Sequence, residues 1–230
     1  MECLYHADLN ETTVDYTLHG DEFKHARALR LREGDTVLLS NGKGLAATAR
    51  VTSPARDHLN CTVREFLPAF GEQQHAHTLA LGVLQSRERF EFALEKAVEL
   101  GVAAVVPLLT EFSQTSRLRR DRLELKMLAA MKQCKRSVLP TLQPAVTLAD
   151  FLADCQLKTL ILCDAAGERS MNNLSDSAVL LVGPEGGFSA AERALILADD
   201  RTQLLGLGPR RLRAETAALT ALGILNAACG

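Results

Sequence analysis

The densest chemical signal in the sequence runs from Leu180 to Ser189, Leu-Leu-Val-Gly-Pro-Glu-Gly-Gly-Phe-Ser, where an apolar strand gives way to a glycine-rich loop and a helix start. A loop of this kind, at the carboxyl end of a strand, is where open α/β sheets bind ligands. The glycines let a ligand approach the backbone closely, and Pro184 stiffens the turn. The run is neither a G-x-G-x-x-G fingerprint nor a Walker loop, since no Lys-Ser or Lys-Thr follows it. A second loop with the same logic spans Leu205 to Thr216, Leu-Gly-Leu-Gly-Pro-Arg-Arg-Leu-Arg-Ala-Glu-Thr. Two such loops at neighbouring strand ends would frame one pocket.

Glu185 in the first loop would repel phosphate and suit a cationic ligand. The sulfonium of S-adenosylmethionine fits it better than a nucleoside triphosphate does. Arg210, Arg211 and Arg213 in the second loop could hold phosphate or stabilise a developing anion. All six histidines (His6, His19, His25, His58, His75 and His77) lie in the first third of the chain. Chemistry in the remainder must therefore do without a local imidazole, which excludes Ser–His and Cys–His hydrolase schemes there. Glu215 is the nearest candidate base, and it is equally a first-turn carboxylate favoured by the helix dipole.

The elements that must position these residues follow from periodicity. Thr36–Ser40 and Leu45–Thr52 read as strands of a hairpin around Asn41-Gly42-Lys43-Gly44, within a small β-rich region. Phe70–His77 is polar and aperiodic, and reads as a linker. Beyond it, strands are expected over Leu79–Leu84, Val102–Leu109, Thr159–Cys163, Ala178–Val182 and Gln203–Leu207. Helices are expected over Arg89–Leu100, Arg119–Arg136 and Glu215–Ala228, and Ser189-Ala-Ala-Glu192 is a capping box that opens another. This alternation predicts an α/β domain with a mainly parallel sheet. The last helix is apolar on nearly every face, which predicts burial, in a homodimer interface or in the core.

The 230 residues carry 26 basic and 28 acidic side chains, an ordinary globular composition that excludes disorder, coiled coil and collagen. No apolar run approaches the ~18 residues of a membrane span, and the polar Met1–Asn10 does not read as a signal peptide. None of the six cysteines forms C-x-x-C or stands at zinc spacing from a histidine, so no metal is expected. They read as reduced thiols of a cytoplasmic protein. The charge is unevenly spread. Arg117–Arg136 holds eight basic side chains against Asp121 and Glu124, a local charge of +6, and arginines outnumber lysines 19 to 7. Arginine forks phosphate and stacks on bases, so these patches fit an RNA partner. The expected RNA-holding residues are Lys24, Arg27, Arg30 and Arg32 with Arg117, Arg119, Arg120 and Arg122; the i, i+3, i+6 spacing of Lys24, Arg27 and Arg30 would let them share a face if helical.

The pairing of Gly183–Ser189 with Leu207–Leu222, in that order and spacing, resembles the cofactor loops of the SPOUT class of knotted RNA methyltransferases, and specifically the RsmE family. Phe23–Ser40, Glu95–Val102 and Gln133–Arg136 are similar to family segments, so the likeness spans nearly the whole chain. It implies a PUA-like β-barrel over residues 1–72 and a SPOUT domain over 73–230 with a C-terminal trefoil knot. It further implies an obligate homodimer and S-adenosylmethionine-dependent methylation of N3 of a uridine in 16S ribosomal RNA of the small subunit. The cofactor would be held by Leu162, Val182, Gly183, Pro184, Glu185, Gly186, Leu207, Gly208, Leu212 and Ala217. Arg213, with Arg136 second, would stabilise the uracil anion. A non-catalytic RNA-binding factor with the same fold, a nucleotide-dependent α/β enzyme and a ribose 2′-O-methyltransferase stand as alternatives.

Overall fold

The computed structural model describes residues 1–113, 118–168 and 177–229. It divides into two compact units, Met1–Glu72 with Leu128–Leu139, and Gln73–Met127 with Pro140–Gly230.

The first unit is built on β1 (Glu2–Tyr5), β2 (Asp15–Leu18), α1 (Gly20–Ala28), β3 (Thr36–Ser40), β4 (Leu45–Pro54) and β5 (Leu59–Pro68). Its sheet runs β1-β3-β4-β5-β2, parallel between β1 and β3 and antiparallel elsewhere. Register shifts along the β4–β5 ladder increase the local twist and curl the sheet. Phe23 and Ala26 of α1 fill the resulting hollow with Leu4, Leu18, Val37 and Leu59. The turn between β3 and β4 is made by Asn41, whose side-chain oxygen accepts from the backbone of Lys43 and Leu45.

The end of the long basic helix packs with this unit, because Arg136 is buried there on Glu72, at 2.7 Å. Glu72 also accepts from the backbone of Val138. The stretch read as a linker is therefore anchored at both ends: Glu72 by this pair, and His77 by burial in the second unit. Isolated polarity in a sequence does not distinguish solvated residues from a buried ion pair.

The second unit holds β6 (Thr78–Gly82), α2 (Arg87–Glu99), β7 (Ala104–Leu109), α3 (Arg120–Cys134), whose last turns group with the first unit, and the short β8 (Thr141–Leu142) and β9 (Val146–Thr147). Then follow α4 (Leu148–Asp154), β10 (Leu160–Glu168), β11 (Val179–Val182), α5 (Ala190–Leu197), β12 (Thr202–Leu205) and α6 (Ala214–Cys229). All strands are parallel, in the order β12-β10-β11-β6-β7-β8, with β9 also on β7. Such a sheet is covered on both faces, which is why β11 reads as an unbroken apolar run and is buried throughout. Leu160, Leu162, Val179 and Leu181 face a core shared with Leu148 of α4 and Ile196 of α5. The alternate residues turn to the opposite face.

The predicted capping box is present: Ser189 Oγ accepts from the Glu192 backbone N–H, and the Glu192 carboxylate accepts from the Ser189 backbone N–H. Helix α6 is less enclosed than its composition predicts, since Leu219, Gly223 and Ile224 are only half-buried. Among the described residues, no helix is long and apolar enough to cross a membrane.

Candidate active site

The glycine-rich loop leaves β11 in the middle of the parallel sheet, and the second loop leaves β12 at its edge. Both end against the same cleft, of ≈ 610 Å³, lined by Arg89, Cys163, residues 182–187 and Arg211, Leu212, Arg213, Ala214 and Ala217. A smaller hollow of ≈ 180 Å³ adjoins it, lined by Cys163, Asp164, Leu207, Gly208 and Arg210 among others. Several glycines at the cleft are sterically required. A Cβ on Gly82 at the end of β6 would strike Pro184, and one on Gly186 would lie 2.8 Å from the Phe112 Cβ. Gly206 and Gly167 meet backbone to backbone, where the Gly206 amide donates to the Glu168 carbonyl at 2.7 Å.

The two loops are joined to each other and to α2. Arg211 Nη2 donates to the Glu185 carbonyl at 3.0 Å. Arg89 stands in the first turn of α2, where the Ser86 hydroxyl caps its backbone N–H. From there it donates to Glu185 Oε1 at 2.9 Å and doubly to Glu215 on α6. The guanidinium beside Glu215 holds its carboxyl below the usual carboxylate range. Behind the cleft, Arg193 of α5 pairs with Asp164 at 2.6 Å and lowers that carboxyl in the same way. Burial pushes the Cys163 thiol up to about 12, so it lines the cleft as a neutral group.

Of the expected cofactor residues, Val182, Gly183, Pro184, Glu185, Gly186, Leu212 and Ala217 line the main cleft, and Leu207 and Gly208 line its extension. Leu162 does not. It is 1% exposed in the α4–α5 core, and strand alternation brings its neighbour Cys163 to the cleft instead. Glu185 is not an open counter-charge for a cation, because Arg89 already neutralises it. Glu215 stands at the cleft, yet a carboxylate ion-paired and shifted down is a poor base. Arg136 is committed to Glu72 in the first unit and is not among the cleft residues. Arg213 lines the cleft with an exposed side chain, while its backbone carbonyl accepts from the Ala217 amide in the first turn of α6.

Sequence reasoning missed Arg89 and Phe112. Arg89 is one of many helical arginines, and only the fold brings α2 beneath the two loops. The +6 of the basic helix also dissolves in three dimensions. Arg119 pairs with Asp121, Arg120 with Glu124, Arg122 with Glu91, and Lys132 with Glu22. Counting along one segment does not see carboxylates supplied by other elements. Arg117 lies outside the described residues. In the first unit, Lys24 pairs with Asp21 and Arg27 lies over the Phe23 ring, while Arg30 and Arg32 are exposed.

Comparison with known proteins gives the cleft a context. A family model for an RNA methyltransferase domain matches residues 72–226, and one for an RNA methyltransferase PUA domain matches residues 18–64. The ribosomal RNA small subunit methyltransferase E of Rickettsia conorii is 30% identical over 202 residues, covering 84% of this chain and 81% of its own. That of Synechocystis is 32% identical, over 87% of this chain and 69% of its own. A crystal structure of the Neisseria gonorrhoeae ribosomal RNA small subunit methyltransferase E, bound to S-adenosyl methionine, superimposes with a TM-score of 0.90 at 27% identity, covering 99% of this chain and 97% of that one. The likeness thus extends through both units and both loops, and the chain belongs to the ribosomal RNA small subunit methyltransferase E family.

Proposed function

We propose that the chain uses S-adenosylmethionine to methylate N3 of a specific uridine in 16S ribosomal RNA of the small subunit. The observation that carries this reading is the meeting of the 183–187 and 207–213 loops around one cleft beside the start of α6. The cleft fits the cofactor: its volume is in the range of small-molecule sites, and its glycines let a ligand approach the backbone closely. Val182–Gly186, Leu207, Gly208, Leu212 and Ala217 would hold the cofactor, with Leu162 supporting Cys163 from the core. When bound, S-adenosylmethionine supplies a methyl group on positively charged sulfur.

Uracil N3 must lose its proton to become nucleophilic, and the resulting charge spreads onto O2 and O4. Arg213, exposed at the cleft, is suited to stabilise that anion. Arg89 keeps Glu215 ionised and engaged, so the proton passes to solvent and not to this carboxylate. Arg89 and Arg211 hold the loops in place, and this positioning reduces the entropy that alignment of base and methyl must lose. Lys24, Arg27, Arg30 and Arg32 of the PUA-like region, residues 1–72, would grip the phosphate backbone, with Arg117, Arg119, Arg120 and Arg122 contributing from residues 73–230. The half-buried apolar side of α6 supports a homodimer, and a ribosomal RNA substrate would place the chain in the cytoplasm. A knotted chain end would follow from the resemblance to the knotted methyltransferases.

Calorimetric titration with S-adenosylmethionine, followed by nucleoside analysis of treated 16S RNA, tests the reading. Saturable binding and 3-methyluridine in the product are expected. Absence of binding, or a 2′-O-methylated product, would overturn it.

A further inference from the structure

His75 and His77 lie one residue apart just before β6, and their rings stand 4.7 Å from each other, tilted by 34°. The last turn of α6 reaches the same place. Cys229 Sγ is 3.7 Å from His77 Nε2, although 152 positions separate the two in sequence. Asn226, three residues back on the helix and so on nearly the same face, meets His75 Nε2 at 3.1 Å. One ring nitrogen of each histidine and the Cys229 sulfur all fall within 4.8 Å of one another.

We infer that His75, His77 and Cys229 form a binding site for a zinc ion, with water in the fourth position. The donor set of two imidazoles and one thiolate is the nitrogen–sulfur combination that zinc takes tetrahedrally. With zinc–nitrogen bonds of about 2.0 Å and zinc–sulfur bonds of about 2.3 Å, the ligand nitrogen and sulfur stand roughly 3.5 Å apart. The His77–Cys229 pair already has this separation, at 3.7 Å. No carboxylate belongs to the group, which disfavours magnesium and calcium.

Two further features go beyond proximity. The Asn226 amide is oriented by its own Nδ2, which donates to the Leu100 carbonyl at 2.6 Å and so turns Oδ1 toward His75. A carbonyl oxygen that accepts one ring N–H leaves the other nitrogen with its lone pair free, as in established metal sites. His77 is 1% exposed, and its Nδ1 has no partner among the described residues. The ring is thus held in a buried position with the Cys229 sulfur as the close neighbour of its other nitrogen. A bound ion would fasten the last turn of α6 to the chain leading into β6. Both elements belong to the second unit.

Titration of the chelator-treated full chain with Co²⁺, followed by competition with Zn²⁺, tests the site. One equivalent of Co²⁺ should produce tetrahedral visible bands and a thiolate charge-transfer band, and Zn²⁺ should displace both. Cys229→Ser should abolish the charge-transfer band, while Cys134→Ser and Cys155→Ser keep it. Asn226→Ala should weaken cobalt binding by roughly ten- to a hundred-fold. Zn²⁺ should raise the melting temperature of the parent chain and leave that of Cys229→Ser unchanged; matching metal-free melts of the two would show that the variant folds. No charge-transfer band in the parent chain, or one that survives in Cys229→Ser, would overturn the site.

Discussion

Arg89 grips Glu215 with two parallel hydrogen bonds, Nε to Oε1 at 2.8 Å and Nη2 to Oε2 at 2.5 Å, while Nη1 reaches Glu185 at 2.9 Å. One side chain on α2 therefore joins the first loop to the start of α6. A fork of this kind adds geometric constraint as well as attraction.

If Glu215 serves as a clamp, its removal should cost order and not proton transfer. Its carboxyl titrates below the usual range in the folded state, so the pair's contribution is present above the unfolded carboxylate pKa and fades as pH falls through the lowered value. Between pH 6 and 9 the group stays charged. Glu215→Gln should lower kcat by less than ten-fold and leave the pH–rate profile parallel to that of the parent. A profile that loses a limb in the variant would restore Glu215 as the base. Arg89→Met should raise the dissociation constant for S-adenosylmethionine by ten-fold or more, equivalent to about 1.4 kcal/mol.

Arg213→Ala should reduce kcat about 10²- to 10³-fold, the usual cost of removing one donor to a developing anion. The KM for cofactor should change little. Single-turnover methylation of 16S RNA separates the two effects, and a change confined to KM would reassign Arg213 to binding.

A methyl group at Gly186 would press on Phe112, at 2.8 Å from its Cβ. Gly186→Ala should destabilise the loop by about 1 to 3 kcal/mol, as overpacking does. Cofactor affinity should fall with it. In a Phe112→Ala background most of that loss should vanish. A double-mutant cycle measured by cofactor titration checks this, and additive effects would disprove the coupling.

The exposed arginines should divide by function. Arg30→Ala and Arg32→Ala should each reduce the salt dependence of RNA binding by about one phosphate contact. Arg122→Ala should in addition cost about 1 to 3 kcal/mol of stability, since it leaves the buried Glu91 without its cation. Binding at several salt concentrations and denaturant melts distinguish these outcomes.

Asp199 and Arg201 pair at 2.6 Å, and Arg201 also donates to the carbonyls of Cys155 and Leu157 after α4. The pair holds the Asp199 carboxyl at about 2. Its contribution, about 1 kcal/mol, should be complete above pH ~4 and fade as pH falls toward 2. Asp199→Asn should flatten that part of the pH–stability curve.

Periodicity and turn chemistry were sufficient for most of the second unit. β11, the capped α5 and the terminal helix each carry a local signal, and both loops are written in contiguous residues. What the sequence concealed depends on contacts between distant segments. The chain does not announce that Arg89 will lie under Glu185 and Glu215, that Glu72 will bury Arg136, or that carboxylates elsewhere will answer the basic helix. Leu162 shows the finer limit. Its side chain turns into the core while that of Cys163 meets the cleft, a matter of one residue, because a strand reverses face at each step. Short elements such as β1, β2, β8 and β9 escaped because a few residues carry no measurable period.

The close contact of Gly167 with Gly206 has a practical corollary for anyone who diversifies this chain. Two backbones that touch leave no room for any side chain at either position, so even alanine must push the β10 extension away from the loop after β12. Neither position can be relieved by shaving its neighbour, because the neighbour is main chain. A library that holds these two codons fixed and varies the arginines around them would explore specificity without spending its members on chains that cannot close.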